Sequence, residues 1–153
     1  MKYYIKQAVF TIGDEFSIYD AAGNVIFTAL SELFTIGKKL RLFHPNGQQA
    51  AYIERELLTF LPRFFVAAEH SAEQTVEKQF SLTPYYTVEP AGWTVEGDFF
   101  AHDYTISCGE QTVAEISKEY LTWGDTYEID VCGTDENELV LAVVLVIDAV
   151  LAR

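Results

Sequence analysis

Cysteine is scarce in this chain of 153 residues: Cys108 and Cys132 are the only two. No C-x-x-C pair exists, so a disulfide scaffold, a zinc ribbon and a thioredoxin-type redox motif are excluded. Both cysteines are expected as small core residues on strands, in a reduced, cytoplasmic setting. The Walker A loop, G-x-G-x-x-G and G-x-S-x-G are also missing, which removes the common signatures of nucleotide binding and of serine hydrolysis. His44, His70 and His102 never fall at i, i+3 or i, i+4, so no helix can present a zinc pair. Low-complexity tracts and polar linkers are absent, so residues 1–153 are expected to form a single domain. The opening MKYYIKQAVF carries neither an apolar h-region nor a small-residue cleavage site, so a signal peptide is not expected.

Positive charge is the other shortage. The net charge is −13, and residues 89–153 hold 14 acidic side chains against two basic ones. Between Glu89 and Ala152 the only cation is Lys118. Such a half repels nucleic acid and anionic lipid at long range, so no nucleic-acid partner is expected. It reads as a charged exterior, with a cation site or a basic partner as the sharper alternative.

What the chain has in plenty is apolar and aromatic side chains, enough for a large core: half the residues are apolar, with 11 Phe, 9 Tyr and 2 Trp. Period-two alternation between turn signals dominates, as in Phe16-Ser-Ile-Tyr-Asp20 and in Leu40-Arg-Leu-Phe-His44 before Pro45-Asn-Gly47. Counted along the chain, such segments predict about twelve short strands in meanders, hence a barrel or sandwich.

A motif repeats within this pattern. AYIERELLTF at 51–60 and AEISKEYLTW at 114–123 match at an offset of 63, and Val76-Glu-Lys78-Gln-Phe80 is a shorter echo. Arg55, Lys78 and Lys118 take equivalent places, on the same strand face as two flanking apolar residues. Two readings compete. In the structural one, long stems pack on apolar neighbours while the charges snorkel or pair. In the functional one, three cations converge on a ligand.

The chain ends in LVLAVVLVIDAVLAR, where 13 of the 14 residues Leu139–Ala152 are apolar. Fourteen residues are too few to cross a bilayer, where about 20 are needed, so a transmembrane anchor is not expected. Asp135-x-x-Glu138 is shaped like a capping box, so a helix is predicted from about residue 136 despite six β-branched residues. Being apolar all round, it must be buried all round. A barrel of about twelve strands leaves a lumen that such a helix would fill. Asp148 is the one carboxylate in the plug and needs donors, from backbone amides or from a repeat cation.

The chain resembles the LURP-one-related family, which shares the tubby C-terminal-like fold with tubby proteins and phospholipid scramblases. The resemblance rests on Phe10-Thr-Ile-Gly13, Ile36-Gly-Lys-Lys-Leu40, Ala51-x-Ile53-x-Arg55, Val95-x-Gly-Asp98, His102-Asp-Tyr-x-Ile106, Val113-Ala-x-Ile-Ser-Lys118 and Gly124-Asp-Thr-Tyr127-x-x-Asp130-Val. It implies an α+β fold, a closed antiparallel barrel of twelve strands around a C-terminal helix. It implies little chemistry. Tubby relatives bind phosphoinositide headgroups through a basic patch, and scramblase relatives are linked to calcium and lipids.

The expected function is therefore a non-enzymatic binding or regulatory module, with no cofactor, no metal and no catalytic residue assigned. The alternative is phospholipid-headgroup or membrane-surface binding through Lys38, Lys39, Arg41 and Arg63. A third reading is an enzyme with a pocket at a barrel mouth. Asp148, Arg55, Lys78 and Lys118 are expected as structural polar residues in the core. Asp98 and Asp103 lack a calcium-loop pattern and read as turn residues. His102 beside Asp103 has the shape of an oriented base without a nucleophile, and His44 is expected simply to be exposed. Trp93 and Trp123 are expected to pack in the barrel.

Overall fold

Alternation builds the wall. In β4 (Lys39–Phe43), Leu40 and Leu42 are buried while Lys39, Arg41 and Phe43 face outward. The same two-residue period runs through the other strands, so one face of every strand is apolar and turns toward a common axis. The computed structural model describes residues 1–6, 15–32, 37–119 and 126–152. Its strands are β1 (Lys2–Lys6), β2 (Glu15–Tyr19), β3 (Val25–Ser31), β4, β5 (Gln49–Arg55), β6 (Arg63–Ala68) and β7 (Gln74–Gln79). Then come β8 (Tyr85–Glu89), β9 (Trp93–Asp98), β10 (Asp103–Cys108), β11 (Gln111–Glu119), β12 (Thr126–Val131) and the helix α1 (Asn137–Ala152).

Each strand pairs antiparallel with its neighbours in sequence, and β1 pairs with β12, from Lys2 opposite Asp130 to Lys6 opposite Thr126. The barrel is closed and has twelve strands, so no sheet edge is left. Leu139 to Ile147 and Ala149 are completely buried, and at 1.5 Å per residue α1 runs about 24 Å down the lumen. Among the described residues no helix is long and apolar enough to cross a membrane.

The start of α1 differs from the expected capping box. The Glu136 carbonyl accepts from the Val140 amide at 3.1 Å, and Thr134 Oγ1 accepts from the Glu136 amide at 3.1 Å. The Glu138 carboxylate turns instead toward His44 and Glu69. The cysteines also differ from expectation. Both are exposed, because Cys108 ends β10 and Cys132 follows β12, where the alternation no longer points inward. Trp93 packs in the core as expected, while Trp123 and Phe10–Gly13 lie outside the described residues.

Gly97 is a close-approach position. Its φ is +142°, it pairs with Tyr104, and a Cβ there would lie 2.5 Å from Asp103 O and 2.6 Å from Tyr104 Cα. Gly97→Ala is expected to cost on the order of 2–4 kcal/mol through strain and backbone displacement. Chemical denaturation would measure it, and a loss under about 0.5 kcal/mol would contradict the close approach.

Candidate functional site

Antiparallel meandering sends every second loop to the same end. The loops after β5, β7 and β9 share one mouth with the C-terminus of α1; the loops after β4 and β6 share the other with its N-terminus.

The mouth at the helix C-terminus is unusually apolar. Leu58, Phe60, Phe80, Leu82 and Phe100, all on its loops, are each at least 83% exposed. Beside them opens a cleft of ≈770 Å³, lined by Lys78, Thr83, Pro84, Tyr86, Gly97, Asp98, Phe99, Phe100, Val150 and Leu151. Tyr86 and Phe99 meet edge to face at 5.1 Å, which fixes one wall. The last turn of α1 supplies the floor through Val150 and Leu151.

The repeat cations sit at this mouth. Arg55, Lys78 and Lys118 continue the inward-facing series of β5, β7 and β11, but at the strand ends, so they are half-buried rather than in the core. A physical reason lies in the helix. Its last carbonyls have no intrahelical partner and carry partial negative charge, and Lys38 Nζ donates to Ala149 O. Burial lowers the Lys38 pKa, and the Arg55 guanidinium nearby lowers it further. Arg55 itself lies over the Phe64 ring at 5.8 Å.

The expected headgroup site is not assembled. Alternation splits it, with Lys38 over the helix and Lys39, Arg41 and Arg63 on the outer face. Each outer cation meets a carboxylate: Lys39 with Glu54 at 3.4 Å, Arg41 with Glu32 at 2.5 Å, Arg63 with Glu56 at 3.2 Å and Glu77 at 3.5 Å. Arg41 also caps the Tyr52 ring at 4.5 Å. Glu54, on the strand between β4 and β6, interrupts any continuous positive surface.

Beneath the cleft lies a buried polar cluster. Tyr127 donates its hydroxyl to Asp148 Oδ2, where a backbone amide or a repeat cation was expected. His102 stacks on Tyr127, with centroids 4.4 Å apart and planes 5° apart, and its Nδ1 lies 3.9 Å from Asp148 Oδ1. His102 reaches inward from a turn with φ +52°, so Asp148, not Asp103, is the acid beside it. Burial pushes the Asp148 carboxyl up to about 7, against the lowering effect of the Tyr127 hydroxyl. Tyr104 and Tyr127 are raised well above the usual phenol value, first by burial and then by Asp148. Asp148, His102, Tyr104 and Tyr127 are each at most 6% exposed, and none lines the cleft. Asp98 Oδ1 accepts from the Ala101 amide at 3.1 Å, a turn role as expected.

The sequence profile of the LURP-one-related family matches residues 1–148. The chain belongs to that family. A curated relative, the uncharacterised protein YxjI of Bacillus subtilis (strain 168), is 26% identical over 149 residues, covering 97% of this chain and 92% of the relative. An Arabidopsis thaliana protein solved by X-ray crystallography is similar in fold, with a TM-score of 0.66 at 17% identity, over 99% of this chain and 92% of that one. The barrel-and-helix fold expected from the resemblance is thereby shown.

Sequence reading missed the cleft, because Tyr86, Phe99 and Leu151 are ordinary core letters until the fold places them at one mouth. Phe99 and Phe100 carried a signal: two adjacent aromatics between the acids and turn residues of 96–103.

Proposed function

We propose that this LURP-one-related protein is a non-enzymatic binding module whose ligand is an amphipathic small molecule. Its apolar body enters the cleft at the helix C-terminal mouth, and its anionic end meets Lys78. One observation carries this reading: a ≈770 Å³ cleft walled by Tyr86 and Phe99 and floored by Val150 and Leu151. That size and lining fit the roughly 300–1,000 Å³ apolar pockets that take drug-sized ligands. The titratable groups that converge nearby are sealed below the cleft rather than opening into it, which supports binding over catalysis. The exposed thiols of Cys108 and Cys132, neither in a disulfide, support a cytoplasmic place of work, where such groups stay reduced.

The test is titration with an anionic aromatic fluorophore, anilinonaphthalene sulfonate, in parallel with the neutral dye Nile red. Saturable binding of both at one site is expected. Phe100→Asp should weaken both about tenfold, whereas Lys78→Glu should weaken the anionic dye far more than the neutral one. Absence of saturation, or indifference to both substitutions, would refute the cleft as a ligand site.

A second reading, attachment to a membrane surface, is favoured by the exposed apolar loops on the same mouth. It predicts co-sedimentation with phosphatidylserine vesicles that is lost on charge reversal of Lys38 and Lys39. The ion pairs of Lys39, Arg41 and Arg63 weigh against it.

A further inference from the structure

At the opposite mouth, three chain-distant side chains converge. His44 follows β4, Glu69 follows β6 and Glu138 opens α1. One ligand atom from each lies within 4.8 Å of the others, and His44 Nε2 already touches Glu69 Oε1. All three are half-buried and open onto a concavity of ≈640 Å³ that Asn46, Gln48 and His70 also line.

We propose that His44, Glu69 and Glu138 bind a divalent metal ion of the zinc class. The donor set argues for that class. An imidazole with two carboxylates suits zinc and its first-row neighbours, whereas calcium wants six to eight oxygens. With bonds of about 2.0–2.2 Å, tetrahedral zinc holds its donors roughly 3.4 Å apart, a contraction that glutamate side chains at the surface can supply by rotation. The concavity leaves a fourth position for water or another ligand, as in zinc sites with three protein donors.

The surroundings are built for a cation. Among the described residues no lysine or arginine pairs with Glu69 or Glu138. Asp135, Glu136 and Glu138 crowd the helix start, and their charge outweighs the roughly half positive charge of the helix dipole. Below them, Phe27 packs on the His44 ring at 5.1 Å and on Tyr3 at 6.2 Å, which limits the imidazole's freedom. Tyr3 lies close enough to feel the Glu138 carboxylate, although burial is the larger cause of its rise to about 12.

The experiment is calorimetric titration of chelator-treated protein with zinc chloride, beside thermal melts. One equivalent per chain and a higher Tm are expected. His44→Asn and Glu138→Gln should each weaken binding at least tenfold while leaving the metal-free circular dichroism spectrum unchanged. A Cys108→Ser, Cys132→Ser double variant should bind like the wild type, and X-ray absorption should show nitrogen and oxygen donors without sulfur. The proposal falls if zinc does not saturate, if the His44 and Glu138 variants bind as tightly as the wild type, if the cysteine variant loses binding, or if calcium binds in preference. None of these outcomes depends on the cleft at the other mouth.

Discussion

A chain ending at Glu138 is expected to be unfolded and to aggregate. Eight large aliphatic side chains, Leu139, Val140, Leu141, Val143, Val144, Leu145, Val146 and Ile147, are fully buried on α1. At about 1.5 kcal/mol or more each, their burial is worth on the order of 10 kcal/mol, comparable with the whole stability of a typical domain, about 5–15 kcal/mol. Without them the twelve strands enclose an apolar lumen that nothing else among the described residues fills. The measurement is circular dichroism and size exclusion of residues 1–138 against the full chain. A soluble, cooperatively melting truncation would show that the barrel stands without its plug.

Replacing Asp148 by Asn is expected to stabilise the protein at pH 8 and to change it little at about pH 4 and below. The native carboxyl is raised to about 7 by burial, while in the unfolded chain it titrates near 4, the ordinary aspartate value. Between these values the folded state holds a proton that the unfolded state has released. The stability this group contributes is therefore complete below about pH 4 and lost as the pH rises through about 7. A displacement of about three pK units corresponds to on the order of 4 kcal/mol across that window. Asn keeps an acceptor for the Tyr127 hydroxyl and never ionises, so it removes the dependence. Asp148→Ala does not ionise either, but it leaves that hydroxyl buried without an acceptor and should be about 1–3 kcal/mol less stable than Asp148→Asn at every pH.

The groups facing Asp148 are Tyr127 from β12, Tyr104 from β10 and His102 from the turn before it. Both phenols are raised and stay silent below pH 9. His102 Nδ1 lies 3.9 Å from the carboxylate, so the comparison should be repeated in a His102→Gln background. Equal Tm-against-pH slopes for wild type and Asp148→Asn would show that another group governs the window.

These two results bear on one structural fact: the plug is apolar except for a carboxylate, and the wall supplies its partner. The need for a partner is readable from one acid among thirteen apolar residues. Its identity is not, because Tyr127 is one of nine tyrosines, and only strand register turns it toward the helix. The basic patch was misread for the same kind of reason. Lys38, Lys39 and Arg41 are neighbours in sequence, but a period of two sends Lys38 over the helix end and the others to the outer face, onto carboxylates of β3–β4 and β5 neighbours.

The architecture is legible in the order of residues alone. Alternation in twelve short segments specifies one apolar face per strand, and an apolar run too short for a bilayer has nowhere to go but the space those faces enclose. The repeat also placed Arg55, Lys78 and Lys118 on equivalent inward positions. The sites, by contrast, come into being with the folded barrel. Barrel closure brings His44, Glu69 and Glu138 together from three elements, and the last turn of α1 against the loops after β7 and β9 makes the cleft. Periodicity is a local property that each strand carries alone. The convergence of side chains depends on register and closure, which exist only once all the strands are paired.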